Sequence, residues 1–278
     1  MNNGLKSIGL LVLLIGYLSA CGQIDHQLNE NIGTEDTAMV SKKMKVEIWS
    51  DVMCPFCYIG KRKFEAALAQ FPNKDRMELI WKSFQLAPDL KTQPDKNIHQ
   101  FLAEHKGMSL EQAKSMNDHV TDLAKQVGLV YDFDRSIVAN SFNAHRFSHF
   151  AKQYGKQNEA KELLFRSYFT DGKNIDDQLT LIQLSEEVGL DTTALKTALE
   201  NGSYADEVKA DIHEAQQVGV RGVPFFLFDR KFAVSGAQEI SVFAKTLNKA
   251  FDEWKKENNE VEVEVIRGST CKPESECK

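Results

Sequence analysis

The residues best placed to do chemistry are two thiols, Cys54 and Cys57, in the segment Cys54-Pro55-Phe56-Cys57. Two residues between two cysteines is the spacing of half a zinc site and also of a dithiol that cycles through a disulfide. Zinc needs further ligands. Cys271 and Cys277 are separated by five residues, wider than usual, and no second C-x-x-C or tight His pair occurs, so no metal is expected. An inert structural disulfide is unattractive in so short a loop at a helix start. The redox reading has a direct mechanism: unpaired backbone N–H groups and the positive dipole end of a helix N-terminus favour a thiolate. Cys54 is then the exposed, attacking sulfur. Cys57, one turn further on, resolves the mixed disulfide. Pro55 suits a first helical position because it needs no N–H partner there. Phe56 brings neither charge nor ring N–H.

Such a pair requires a strand before it and a helix under it. Lys45–Trp49 alternates as a strand, Cys54–Gln70 carries Phe64, Ala67, Leu68 and Phe71 at helical spacing, and Met77–Phe84 reads as a second strand. The stretch from about Ala87 to Gly202 reads as helical. Ser109 and Gln112 fit a capping box, after which Leu110, Ala113, Met116, Val120, Leu123, Ala124 and Val127 fall on one face up to Gly128. Further helices are expected at Asn140–Tyr154, Gln157–Phe169, Leu179–Val188, Thr192–Glu200 and Tyr204–Val218. Pro224–Phe228 and Lys231–Val234 flank Asp229-Arg230, a hairpin-sized gap. A last helix, about Gln238–Trp254, turns Ile240, Phe243, Leu247, Ala250, Phe251 and Trp254 inward. The expected class is α/β: strand–helix–strand, a large nested all-α insertion at about 87–202, then strand–strand–helix.

The order strand–CPFC–helix, helical block, Val223-Pro224-strand resembles the DsbA-like branch of the thioredoxin superfamily, and within it the FrnE-like dithiol–disulfide oxidoreductases. Four segments carry the resemblance: 50–60 (SDVMCPFCYIG), 140–146 (NSFNAHR), 219–226 (GVRGVPFF) and 234–238 (VSGAQ). It spans roughly Lys45 to Trp254. It implies a thioredoxin fold, a redox-active disulfide with no other cofactor, and protein substrates bearing thiols or disulfides, with a redox partner of unknown identity. It further implies that Pro224 is a cis-proline facing the two cysteines, leaving the Val223 backbone to pair with a substrate strand, while Pro55 and Phe56 border the bound chain. Relatives often place a buried acid on the first strand. Here Ile48 holds that position and Glu47 points to the opposite face, so Asp51 is the candidate proton acceptor, with a loop or helix-capping role as its equal alternative. His145 is a candidate for the groove above Cys54, and Arg146 for a structural ion pair. His99, His105, His119, His149 and His213 read as solvated helix positions.

The ends of the chain are addresses and linkers. Ile8–Leu18 is an apolar run too short to span a bilayer, and it leads into Leu18-Ser19-Ala20-Cys21. This resembles a bacterial lipobox: residues 1–20 form a signal peptide, Cys21 is lipidated, and the mature chain is extracytoplasmic and membrane-anchored. Residues 21–43 read as a polar tether, 44–256 as the domain, and 257–278 as a polar tail. Cys271 and Cys277 form an inert loop, a tethered second redox pair or, as a third reading, a weak metal site. A hydrophobic content of 42% with 17 Phe excludes a disordered chain, and a net charge of −6 argues against a general nucleic-acid-binding surface. Two other function classes remain open. One is a glutathione-dependent enzyme of the kappa-transferase and hydroxychromene-carboxylate-isomerase type. The other is a non-catalytic, chaperone-like binding module.

Overall fold

The structure, a computed structural model, describes residues 42–258. Cys21, Cys271, Cys277, the signal segment and nearly all of the tether and tail lie outside the described residues. Strand β1 (Met44–Ser50) is covered on both sides. Val46 and Ile48 face one layer and Trp49 the other, so six of its seven residues are buried. Helix α1 (Pro55–Ala69) follows, and β2 (Met77–Ser83) then lies parallel to β1, with Ile48 beside Trp81.

The chain next enters the insertion. A two-stranded sheet of β3 (Gln93–Asn97) and β4 (Ile137–Val138) brackets helices α2 (Ile98–Lys106) and α3 (Leu110–Lys125). These strands correct the all-helical expectation for this stretch. Gln93-Pro94-Asp95-Lys96-Asn97 has no apolar alternation to betray a strand, and β4 is only two residues long. The capping box of α3 is present, with Gln112 N–H donating to Ser109 Oγ at 3.1 Å and Ser109 N–H to Gln112 Oε1 at 2.9 Å. Helices α4 (Phe142–Lys152), α5 (Gln157–Phe169), α6 (Gln178–Val188) and α7 (Thr192–Glu200) complete the block, within two residues of their expected bounds.

Helix α8 (Ala205–Val218) leads back to the sheet, where β5 (Phe225–Phe228) runs antiparallel to β1 and β6 (Phe232–Ser235) antiparallel to β5. The four-stranded order is β2-β1-β5-β6. Asp229 and Arg230 both take positive φ, as a tight hairpin turn demands. Helix α9 (Ile240–Glu257) packs against α1 on one face of the sheet. There Phe64, Phe226, Phe228, Phe243, Phe251 and Trp254 form one core. A larger core fills the insertion.

Three expectations of inward residues fail. Leu110 and Ile240 each start a helix, where the apolar stripe has not yet met its partner layer, and both are exposed. Met116, also exposed, borders an open groove instead of the core. Among the described residues no helix is long and apolar enough to cross a membrane.

Candidate active site

Cys54 is the N-cap of α1, in extended backbone geometry, and Pro55 takes the first helical position. Cys54 N–H donates to Asp51 O at 3.1 Å and Cys57 N–H to Cys54 O at 3.0 Å, so the turn before the helix is fixed on both sides of the first thiol. Both cysteines are in the thiol form.

The expectation of an exposed Cys54 is corrected: the residue is only 5% exposed. Its small accessible part opens into a groove of about 380 Å³ walled by Met53, Phe56, Leu86, Phe101, Met116 and Phe133, with His105 and Lys106 also along it. Cys57 is buried and is absent from the groove wall. The two thiols thus differ in access: Cys54 borders the groove and Cys57 does not. Burial pushes the Cys57 thiol well above its ordinary value. Neighbouring Cys54 and the Asp51 charge add to that, while Asp51 N–H opposes it.

The Val223–Pro224 peptide bond is cis, as the resemblance implies. Cys54 Sγ donates to Val223 O at 3.5 Å, and the β5–β6 ladder begins only at Phe225. Pro224 reaches this position because Gly60 has no side chain. A Cβ on Gly60 would stand 2.9 Å from Pro224 Cγ and 3.6 Å from Ala237 Cα. On the other side of α1, Tyr131 donates its hydroxyl to Pro55 O at 2.7 Å and stacks on Phe169 at 4.7 Å. Burial, then the nearby Cys54, pushes the Tyr131 hydroxyl far above its ordinary range, so it stays a donor.

The model of the DSBA-like thioredoxin domain matches residues 45–248. The chain belongs to the DsbA-like thioredoxin family. A probable DsbA oxidoreductase from Streptomyces coelicolor is similar at 37% identity and a TM-score of 0.71, over 84% of this chain and 98% of that one. The uncharacterized protein YwbO of Bacillus subtilis (strain 168) is 30% identical over 214 residues, 76% of this chain and 98% of its own. A 2-hydroxychromene-2-carboxylate isomerase shares the fold alone, at 17% identity and a TM-score of 0.54, over 78% of this chain and 98% of that one.

Behind the thiols, this DsbA-like chain buries charge. Asp51 is fully buried and accepts from Leu86 N–H at 2.7 Å and Met53 N–H at 3.3 Å. Burial resists its ionisation, yet His145, Leu86 N–H and Ser141 together hold the carboxyl below its ordinary value. His145 does not line the groove, which corrects that expectation. It sits on the second turn of α4, buried, with Nε2 3.5 Å from Asp51 Oδ1. Among the described residues Arg146 makes no carboxylate pair. Its guanidinium instead donates to Ser203 O, Ala198 O and Leu199 O, closing the end of α7.

Two histidines expected in solvent are buried. His149 pairs with Asp211 at 3.0 Å and His99 with Asn117 at 2.8 Å and Asp134 at 3.1 Å. Each lies on the inward side of an amphipathic helix, where its polar partner comes from a distant element that no periodicity reveals. Sequence reasoning also missed Lys161, which is buried on α5 beneath the Trp81 and Phe165 rings at 5.5 and 5.4 Å. Burial pushes its ammonium down to about 8, against the charges of Cys57, Asp51 and Asp211. No carboxylate lies within ion-pair distance of it among the described residues. Only the intact family segments, not its own neighbours in sequence, could have signalled Gly60. No set of three His, Cys, Asp or Glu converges as a metal site among the described residues.

Proposed function

We propose that this chain is an extracytoplasmic, membrane-anchored thiol–disulfide oxidoreductase of the FrnE-like type that exchanges disulfides with protein substrates. DsbA-like proteins work through a redox-active disulfide without another cofactor, and the family assignment supports an enzyme of that general class. The observation that carries the reading is the asymmetry of the two thiols. Cys54 opens onto an apolar groove beside the Val223 carbonyl that precedes the cis-proline, and Cys57 is sealed behind it.

In this reading Cys54 attacks a substrate disulfide, or the Cys54–Cys57 disulfide accepts a substrate thiolate. Cys57 then closes or opens the intramolecular bond. The Val223 backbone beside Pro224 pairs with the extended substrate, and Pro55 and Phe56 border it. Asp51 accepts the proton of Cys57. Cys21 carries the lipid that holds the enzyme at a bacterial membrane. Cys271 and Cys277 are a secondary redox pair or a closed loop. The partners are thiol- or disulfide-bearing proteins and a redox partner that resets the site; nucleic acid is not among them.

The test is oxidative refolding of a reduced, disulfide-containing substrate with the disulfide form of the full chain, and reduction of a substrate disulfide with the dithiol form. At least one direction proceeds, and Cys54→Ser abolishes it. Full activity in Cys57→Ser with glutathione supplied would favour glutathione-dependent chemistry instead. Substrate protection that survives replacement of both cysteines would favour a binding module.

A further inference from the structure

His145 is an anomaly of this core. It is 1% exposed, and among the described residues neither ring nitrogen has a hydrogen-bond partner. Buried polar groups are nearly always satisfied, and one that is not calls for a reason beyond packing. The ring is not merely stranded: Nε2 lies 3.5 Å from Asp51 Oδ1, and the charge of that carboxylate acts on the Cys57 thiol, the more deeply buried of the two. The groups facing the pair come from every surrounding element. They are Cys57 on α1, Leu86 N–H after β2, Ser141 and His149 at and on α4, and Lys161 and Tyr168 on α5; Asp211 on α8 acts on Lys161 and not on the pair.

We infer that His145 is a positioning and proton-holding residue for the resolving step: the Asp51–His145 pair receives the Cys57 proton, and the imidazole is where it comes to rest. This inference rests on the dithiol reading above. In the mixed disulfide, the Cys57 S–H proton passes through the Asp51 carboxylate to His145. The Cys57 sulfur then attacks Cys54 Sγ, the Cys54–substrate S–S bond breaks, and the substrate sulfur leaves with the electron pair as a thiolate. The dithiol is oxidised by two electrons and the substrate disulfide is reduced by the same two. Burial holds His145 below its ordinary value, with Lys161 and His149 acting in the same direction and Asp51 against. The ring is therefore neutral, and able to accept, at neutral pH. An anionic Asp51 facing a neutral ring becomes an ion pair when the proton arrives, which is a cheaper state in a dry interior than an isolated thiolate.

The experiment uses the full chain with Cys21, Cys271 and Cys277 replaced by Ser, so that Cys54 and Cys57 alone report. The probe is a bis-nitrothiobenzoate disulfide. Attack by Cys54 releases one coloured thiolate and resolution by Cys57 releases the second. At pH 7, His145→Gln is expected to slow the second release about a hundredfold, the scale of a lost proton acceptor, and to leave the first within about twofold. The pH profile of the second release also changes, from a plateau in the parent to a continuous rise in the variant. A second release within about twofold of the parent at all pH values, or equal slowing of both releases, overturns the inference. A parent that releases no second thiolate overturns both this inference and the dithiol reading.

Should the variant not fold, nitrogen-15 shifts of the ring in the parent decide. The His145 midpoint is expected to rise when Cys54 is capped as a methyl disulfide and Cys57 is free, relative to the Cys54–Cys57 disulfide. Identical midpoints contradict it.

Discussion

Two clusters of charge, one partly and one fully buried, lie against the same strand, and they are built to opposite rules. Glu47, Lys82, Asp211, Glu214, Arg230 and His149 lie on the α8 side of the sheet, and every member has partners. Lys82 reaches Asp211 at 3.1 Å and Glu214 at 2.9 Å, Arg230 bridges Glu47 and Glu214, and Asp211 also accepts from Ser83 N–H at 2.8 Å. Asp51, His145 and Lys161 lie four residues along the chain from Glu47 or on helices packed against that point, and they are poorly matched. Among the described residues His145 makes no hydrogen bond, its nearest charge being Asp51 at 3.5 Å, and Lys161 faces aromatic rings. Satisfied buried networks make a structure unique, whereas unsatisfied ones cost stability and persist where the charge has work to do. The fully partnered cluster gathers around Asp211, whereas Asp51 of the poorly matched one acts on Cys57.

The largest expected effect is in the paired cluster. Asp211→Ala leaves Lys82 and His149 without their shared carboxylate and is expected to cost about 3–5 kcal/mol in urea denaturation, with disulfide exchange per folded molecule unchanged. Breaking the unpaired cluster has the opposite sign. Lys161→Met is expected to gain about 2–3 kcal/mol at pH 7. The sign follows from the shift. The folded-state lysine is lowered to about 8 from 10.5, so the penalty is full below pH 8, shrinks as pH rises, and is gone above 10.5. A gain that does not fade toward alkaline pH would mean that the methionine packs better and that charge is irrelevant.

A third position sits between the clusters and the groove. Gly60→Ala places a methyl 2.9 Å from Pro224 Cγ, and is expected to cost about 1–3 kcal/mol and to slow attack on protein substrates more than on small disulfides. The smallest effect concerns Glu162, a second fully paired carboxylate, bound to Lys61, Arg62 and Tyr58. Burial works against its ionisation, but Arg62 and Lys61 hold it at about 2 instead of 4.5. Its depressed value gives stability that is present above pH 4.5 and lost as pH falls toward 2. Glu162→Gln is expected to cost about 1–2 kcal/mol at pH 7, allowing for its partial exposure, and almost nothing near pH 2, as measured by thermal unfolding across pH.

What the sequence could tell follows from range. Local signals were legible: the Pro55 helix start, the Ser109 capping box, the helix bounds and the hairpin at Asp229-Arg230 all depend on residues close in the chain. The family segments extended this to Cys54, Cys57 and the cis Val223–Pro224 bond. Illegible were the features made by residues far apart: β3 against β4, His149 against Asp211, and the Asp51–His145–Lys161 cluster drawn from a loop and two helices. His145 shows the limit well. Its place in a family segment pointed to the site, but only the packing of α4 decides that it stands behind Asp51 and not in the groove.

The most direct test of the account is a trap. Cys57→Ser in the full chain, mixed with a protein substrate holding accessible disulfides, is expected to accumulate a mixed disulfide on Cys54, identified by mass spectrometry of the linked peptides and absent from Cys54→Ser. If the linkage forms on Cys57 in the Cys54→Ser chain instead, or if neither variant captures substrate while the parent still exchanges disulfides, the division of labour between the open and the sealed thiol is wrong.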